Sequence, residues 1–167
     1  MVTQPKAPIG EEGAHTGPLS GVRILDLSTV VMGPYATMVL ANLGADIIKL
    51  EPPAGDIMRQ VGPMNNKLMG HSFVNANNGK RSLVLDLKKP EARLAAFKLA
   101  ETADVFVHNI RPAALTRLGL DYQSISEINP KIIFASAVGF GSGGRYSGKP
   151  AYDDLIQGIV GIPSLVL

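Results

Sequence analysis

The stretch that decides the fold is VRILDLSTVVMGPYATMVLANLGADIIKL, residues 22–50. Its first part, VRILDL (22–27), is a short apolar run interrupted by one acid, which is typical of a buried parallel strand. Gly33 and Pro34 then begin a helical stretch, and a glycine follows its end, as is common for helices. ADIIKL (45–50) reads as a second strand. The segment therefore predicts one βαβ unit, which we expect to be right-handed.

Large apolar residues recur at helical spacing within this unit. Tyr35, Met38, Val39 and Leu43 fall on one side of the predicted helix. Such spacing indicates an apolar helix face.

The rest of the chain continues the alternation of strands and helices. We predict strands at 82–87, 104–108 and 132–138, and helices at Pro90–Thr102, Pro112–Leu118, Tyr122–Ile128 and from Tyr152 onward. Residues 51–79 show no clear period, and a loop of this length is usually functional or mobile. The order predicts an α/β fold with a mostly parallel sheet and flanking helices. Ligands of such sheets bind beyond the carboxyl ends of the strands, so the loops after the strands are of most interest.

Composition excludes several classes of protein. The 167 residues contain no Cys, which rules out a disulfide scaffold, a thiolate metal site and a Cys nucleophile, and fits a cytoplasmic location. A net charge of +2 gives no nucleic-acid footprint, and no apolar run approaches the ~20 residues of a membrane helix. Residues 1–18 lack the apolar core of a secretory signal and are expected to be a flexible leader before an ordered section at 19–167.

Three possible functional motifs are not supported by their context. GFGSGG (139–144) matches a dinucleotide-binding pattern, but no helix is predicted directly after it and no acidic residue closes a second strand ~20 residues further on. A flexible Gly/Ser flap fits better, and such a flap could cover a ligand site. His71 and His108 have no partners at metal-ligand spacing, and we expect no metal. No G-x-S-x-G elbow is present, which speaks against a Ser-His-Asp triad.

Two further features leave alternatives open. Basic residues recur near the ends of predicted strands, and they could bind phosphates or form a solvated cationic face. These residues are Lys80, Arg81, Lys88, Lys89, Arg111 and Arg117. Asp153 and Asp154 open the last predicted helix, where an Asp is most often a cap, although one of the two could point into a site.

The chain resembles family III CoA-transferases, a group that includes formyl-CoA transferase and carnitine CoA-transferase, with 2-methylacyl-CoA racemases as relatives. The resemblance spans about residues 19–161. It is carried by LSGVRILDLSTVVMGPYATMVLANLGADIIKLEPPAGD, NNGKRSLVLDLKKPE, ADVFVHNIRPAALTRLGLDY, INPKIIFASAVGFG and PAYDDLIQGIVG, in the family's order and spacing. It implies a Rossmann-like large domain, of which this chain is the N-terminal and incomplete part. It also implies a homodimer of interlocked chains.

The resemblance further implies a binding site for CoA. The substrates would be an acyl-CoA and a carboxylic acid, and no cofactor would be permanently bound. Val31 and Met32 match family positions beside the nucleotide, and Leu85 and Lys88 match a segment that lines the adenosine. Asn109, Ile110 and Arg111 match a loop that contacts CoA. Arg117 matches an arginine that binds phosphate. Some transferases carry Arg where this chain has Pro52, so a contact there is missing or replaced.

By the same resemblance, Tyr152 and Asp153 lie near the reacting thioester. Racemases place a His acid/base where this chain has Tyr152, and a Tyr with a pKa near ~10 is a poor base at neutral pH, which favours CoA transfer. The nucleophilic Asp of the family lies beyond Leu167, so the chain alone is expected to be inactive. The alternatives are a racemase relative or a non-catalytic CoA-binding or interaction module.

Overall fold

A five-stranded parallel sheet organises residues 16–166, the part of the chain that the computed structural model describes. The elements are β1 (Arg23–Leu27), α1 (Met32–Asn42), β2 (Asp46–Glu51), α2 (His71–Ala76), β3 (Lys80–Val84), α3 (Pro90–Thr102), β4 (Val105–His108), α4 (Pro112–Leu118), α5 (Tyr122–Ile128), β5 (Ile133–Ser136) and α6 (Asp153–Ile159), with 3₁₀ turns at Ile57–Gln60 and Ile162–Leu165.

The strand order is β3-β2-β1-β4-β5, and every neighbouring pair is parallel. The chain winds outward from β1 to β3 and then crosses back to β4 on the other side of β1. This reversal puts the loops after β1 and β4 side by side at the carboxyl edge, where α/β sheets bind ligands. The predicted α/β fold with a parallel sheet is confirmed.

The two faces of the sheet differ in character. One face carries a large apolar cluster built from alternate strand residues and from α3, α4 and α5. Its central members are Leu25, Leu27, Ile48, Leu50, Ala96, Ala100, Phe106, Leu115 and Ile125. The other face has a smaller apolar cluster around Ile24 and Ile47, and polar side chains occupy the rest of it. Because strand side chains alternate between faces, Asp26, Lys49 and Glu51 all point away from the large cluster.

Most predicted elements form where the sequence places them. The helices Pro90–Thr102, Pro112–Leu118 and Tyr122–Ile128 match residue for residue. Pro lies in the first turn of the first two of these helices, where its missing N–H costs nothing, and Asp121 caps the third by accepting from the backbone N–H of Ser124 at 3.0 Å.

The segment 51–79 and the strand after it differ from the prediction. The segment contains a 3₁₀ turn and α2, and β3 spans Lys80–Val84 rather than 82–87. The polar start of β3 belongs to the sheet because Lys80 and Ser82 face the buried acids Asp26 and Glu51 and bond to them. A hydrophobic pattern does not detect a strand that begins with such residues.

Helix α1 packs through small residues. It buries Gly33, Pro34, Thr37 and Ala41, whereas the large side chains at helical spacing are exposed or half-buried, with Tyr35 57% exposed. Thr37 Oγ1 donates to the buried Asp26 Oδ2 at 2.6 Å, so this face is held against the sheet by hydrogen bonding as well as by packing.

The predicted leader lies mostly outside the described residues, which begin at Thr16. The backbone N–H of Leu19, where the ordered section was expected to start, donates to the Leu43 carbonyl at the end of α1 (2.9 Å). The division at residues 18 and 19 stays a prediction.

Candidate functional site at the carboxyl edge of the sheet

A cleft of about 300 Å³ opens at the carboxyl edge, where β1 to β4 end. Leu27 and Leu50, both at strand ends and almost fully buried, contribute its apolar base. Leu85 and Ile110 line it from the loops after β3 and β4, and the exposed Lys88 adds a cation. Glu51, whose carboxylate pairs with Arg59, and Asp86 also line it. A mostly apolar slot with a cation at its margin suits a flat ring that carries negative charge nearby.

The loops after β1 and β4 are joined beside this cleft by one amide side chain. Asn109 Oδ1 accepts from the backbone N–H of Thr29 at 3.0 Å, and Asn109 Nδ2 donates to the Thr29 carbonyl at 2.8 Å. The reciprocal pair satisfies both backbone groups of Thr29. The two loops are therefore held in a fixed relation across the switch point of the sheet.

The loop after β1 contains a strained residue. Val30 has φ 72°, and a β-branched residue in this left-handed region is an outlier. The loop needs several restraints to hold it, and three are visible. Asn109 holds Thr29, Lys49 Nζ donates to the Ser28 carbonyl at 2.7 Å, and the backbone N–H of Val30 donates to Asp56 Oδ1 at 3.3 Å.

A buried ion-pair network lies on the polar face of the sheet, behind this loop. Its salt bridges are Lys49–Asp56 (3.1 Å), Lys80–Asp26 (3.1 Å) and Arg59–Glu51 (2.6 Å). A second cavity of about 330 Å³ is lined by the three cations. Each cation already faces its own carboxylate, so this cavity offers no unpaired positive charge to a ligand. It is a weaker candidate for an anionic ligand than the cleft.

The network shifts the pKa values of Glu51 and Lys80. Burial by itself would raise the pKa of Glu51, but hydrogen bonds from Arg59, Ser82 and the Asp56 N–H, together with the Arg59 charge, lower it to about 2. Burial lowers the pKa of Lys80 to about 8, partly opposed by the charge and hydrogen bond of Asp26. Glu51 is therefore ionised at neutral pH, and Lys80 loses its proton more readily than an ordinary lysine.

Comparison with known proteins identifies the family. The family described as CoA-transferase family III matches residues 19–166. The chain belongs to this family. The expected resemblance is thereby confirmed over nearly the whole described chain.

Relatives of known activity cover the same residues. A succinate–glutarate CoA-transferase of Agrobacterium fabrum is 41% identical over 155 residues, which are 89% of this chain and 39% of the relative. An acetyl-CoA:oxalate CoA-transferase of Acetobacter aceti is 42% identical over 148 residues, 87% of this chain and 38% of the relative. The chain thus spans about two fifths of the length of these relatives.

A solved structure agrees with the fold. A CAIB/BAIF family protein from Brucella suis superposes with a TM-score of 0.83 at 38% identity and covers 87% of this chain and 40% of its own.

The structure brings together part of the site predicted from the CoA-transferase resemblance. Leu85, Lys88 and Ile110 line one cleft, and Asn109 holds the loop beside it. The resemblance assigned these four residues to CoA, and they come from two loops more than twenty residues apart in sequence.

Other predicted residues lie outside the lining of the cleft. Val31 and Met32 stand exposed at the start of α1, directly after the strained Val30. Arg111 precedes α4 and Arg117 lies in its last turn, both exposed. Their part in binding CoA stays a prediction.

Tyr152 and Asp153 are far along the chain from these loops and do not line the cleft. Tyr152 is 69% exposed and is the N-cap residue of α6, without a side-chain cap bond. Asp153 Oδ2 instead accepts from Gln157 Nε2 at 2.8 Å, one turn along the helix. The expectation that an Asp caps this helix through its side chain is wrong, because both acids lie inside the first turn.

Two of the cations considered as phosphate ligands are structural. Lys80 and Arg81 lie at the start of β3, and therefore at the amino ends of the strands, whereas the cleft lies at their carboxyl ends. Lys80 pairs with Asp26, and Arg81 Nη2 lies 2.6 Å from Asp46 Oδ1. Lys88, by contrast, lies at the carboxyl edge and lines the cleft.

Sequence reasoning missed a buried histidine beside the site. His108 ends β4, and its Nδ1 bonds the Ile110 carbonyl (3.1 Å) while its Nε2 bonds Ser136 Oγ (2.7 Å) at the end of β5. Burial lowers the pKa of His108, partly opposed by the Ile110 carbonyl, so the ring loses its proton more readily than an ordinary histidine. The signal was available, since an apolar strand that ends in a polar ring needs partners for it.

Residues 16–166 contain neither a metal-binding cluster nor a membrane-spanning helix. No group of three or more His, Cys, Asp or Glu side chains there is arranged to hold a metal ion. No helix in the same range is long and apolar enough to cross a membrane.

Proposed function

We propose that this chain is the N-terminal, CoA-binding section of an acyl-CoA:carboxylate CoA-transferase, and that the carboxyl-edge cleft holds the nucleotide of CoA. The observation that carries the proposal is the convergence of Leu85, Lys88 and Ile110 on one apolar cleft at the switch point of a parallel sheet. The adenine ring would fill the apolar slot, and Lys88 would face a phosphate.

Calorimetric titration of the chain tests this placement. CoA and adenosine 3′,5′-bisphosphate should bind, whereas pantetheine, which lacks the nucleotide, should bind far more weakly. Lys88→Met should weaken CoA binding by about tenfold, since a charge-assisted bond to phosphate contributes roughly 1.5–3 kcal/mol, reduced at an exposed site. The matched control is Lys89→Met, which removes an adjacent exposed lysine outside the cleft and should bind CoA as the parent does. Equal weakening by both changes would show a general charge effect and reject the placement.

We also propose that the catalytic steps need residues beyond this chain. A carboxylate nucleophile would attack the acyl-CoA thioester, and the resemblance places that Asp after Leu167, with Tyr152 and Asp153 near the thioester. The chain should therefore bind CoA and transfer none. The relatives act on short dicarboxylates such as glutarate and oxalate, so succinyl-CoA with glutarate and acetyl-CoA with oxalate are the first pairs to test on a full-length form. Turnover by the 167 residues alone would contradict this part of the proposal.

The interlocked homodimer is proposed for the full-length form. Exposed apolar side chains on α1 and α6, including Tyr35, Val39, Leu155 and Ile159, support it, because large patches of this kind usually mark contact surfaces. Sedimentation of the full-length form tests it, and a monomer at micromolar concentration would exclude it. The cytoplasmic location stays a prediction.

A further inference from the structure

The strained backbone of Val30 is unexplained by packing. Its side chain is 42% exposed, so little burial compensates for the left-handed φ. Strained residues persist only where their surroundings over-determine them, and such surroundings are common at ligand sites. The two residues that follow, Val31 and Met32, are held 50% and 62% exposed at the start of α1.

The contact that reaches Val30 itself comes from Asp56. This carboxylate is fully buried, and its Oδ1 accepts both from the Val30 N–H (3.3 Å) and from the Met58 N–H (3.0 Å). Its Oδ2 lies 3.1 Å from Lys49 Nζ without an aligned hydrogen bond among the described residues. Lys49 in turn donates to the Ser28 carbonyl. The ion pair therefore bonds the loop at Ser28 and at Val30, the residues on either side of Thr29.

Asp56 is itself held firmly. Its backbone N–H donates to Glu51 Oε2 at 3.0 Å, and Glu51 is fixed by Arg59 through two bonds. The position of the carboxylate therefore depends on β2 and the 3₁₀ turn that follows it, and not on the loop after β1. A rigid acceptor of this kind can impose a backbone conformation that the loop would otherwise leave.

We propose that Asp56 is a positioning residue that holds Val30 in the left-handed conformation and thereby directs Val31 and Met32 toward bound CoA. The proposal rests on the proposed function for its ligand. It assigns a role to a buried acid that does not touch the cleft.

Suppression of one substitution by another tests the proposal. Asp56→Ser keeps a capping oxygen for Met58 but is too short to hold Val30. It should weaken CoA binding by about tenfold, the factor that corresponds to the lower part of the cost of a strained residue. Adding Val30→Asn should restore affinity to within about threefold of the parent, because Asn adopts left-handed backbone readily. Adding Val30→Thr, which keeps the β-branched shape, should restore nothing.

Several results would overturn the proposal. Parental affinity in Asp56→Ser would do so, as would equal affinities of the Asn and Thr double variants, because a purely electrostatic or structural role would not depend on residue 30. If Asp56→Ser does not fold, single substitutions of Val30 test the strain instead. Val30→Asn should melt a few degrees above Val30→Thr, and equal melting temperatures would show that residue 30 is not strained and would reject the proposal.

Failure of the proposed function gives a different pattern. If the parent chain binds no CoA, the loop is followed through hydrogen exchange of the Tyr35 amide, which donates to the Val31 carbonyl at 2.8 Å. Asp56→Ser should accelerate that exchange, Asn at position 30 should slow it again, and Thr should not. Unchanged exchange in all variants would reject the positioning role independently of CoA.

Discussion

Replacement of Glu51 by Gln should destabilise the fold strongly and change its response to acid. Glu51 Oε1 accepts from Arg59 Nη2 and Ser82 Oγ, both at 2.6 Å, and its Oε2 accepts from Arg59 Nε at 2.7 Å and the Asp56 N–H at 3.0 Å. A Gln at this position turns one acceptor into a donor that faces other donors. It also leaves Arg59 without its counter-charge.

The magnitude follows from the burial of the pair. Removing one partner of a buried ion pair costs about 3–5 kcal/mol, and since Arg59 is 17% exposed, water recovers some of this, so we expect about 3 kcal/mol at pH 7. Glu51 has its pKa lowered from 4.5 to about 2 on folding. A lowered carboxyl pKa stabilises the fold above pH 4.5, and this contribution disappears as the pH falls toward 2. By pH 3.5 about 1.4 kcal/mol of it would be lost.

Urea unfolding followed by circular dichroism measures both effects. The gap in unfolding free energy between the parent and Glu51→Gln should be about 3 kcal/mol at pH 7 and about half of that at pH 3.5. Glu101→Gln, at an exposed position on α3, is the matched control and should follow the parent at both pH values. A gap of the same size at both pH values would refute the reasoning, because it would mean that Glu51 does not titrate as the geometry requires.

Three further predictions concern the fold. Gly33→Ala should destabilise it by about 1–3 kcal/mol in thermal melts, because a Cβ there would overlap the Ser28 side chain. Gly141→Ala is the control and should be close to neutral, since the space around Gly141 is open. Phe106→Ala, at the centre of the large apolar cluster, should cost about 3–5 kcal/mol in urea unfolding, and a loss under 1 kcal/mol would contradict its burial. Asn129→Ala should cost about 1–2 kcal/mol, since its amide donates to two carbonyls at the end of α3, and calorimetric melting would detect the change.

Local sequence signals were sufficient for much of the fold. The βαβ unit and the helix Pro90–Thr102 follow from short apolar runs and from a Pro in the first turn of each helix, with Gly44 after the end of α1. These signals act over only a few residues. Residues of the cleft could also be predicted from the sequence, but only through the family resemblance. Leu85 and Ile110 are ordinary apolar residues without it.

What could not be predicted depends on contacts between distant residues. The inner face of α1 is set by Thr37 and its bond to Asp26, so the small residues of the helix turn inward although the large ones give the stronger pattern. Lys49 and Asp56 were missed for a similar reason. A charged residue inside a strand is read as exposed unless its partner is known, and the partner lies in a segment without any period.

The contrast between the two sheet faces implies that they respond differently to heat. The cost of removing charged groups from water falls as temperature rises, while the stabilisation from apolar burial levels off. The face that carries Asp26, Lys49, Glu51 and Asp56 should therefore become relatively stronger on warming than the face around Phe106. On cooling, the apolar face gains only a small relative advantage in stability, because the stabilisation from apolar burial also weakens at low temperature. As the temperature rises, the face packed by α3, α4 and α5 should therefore lose part of its advantage in stability over the face that holds the ion pairs.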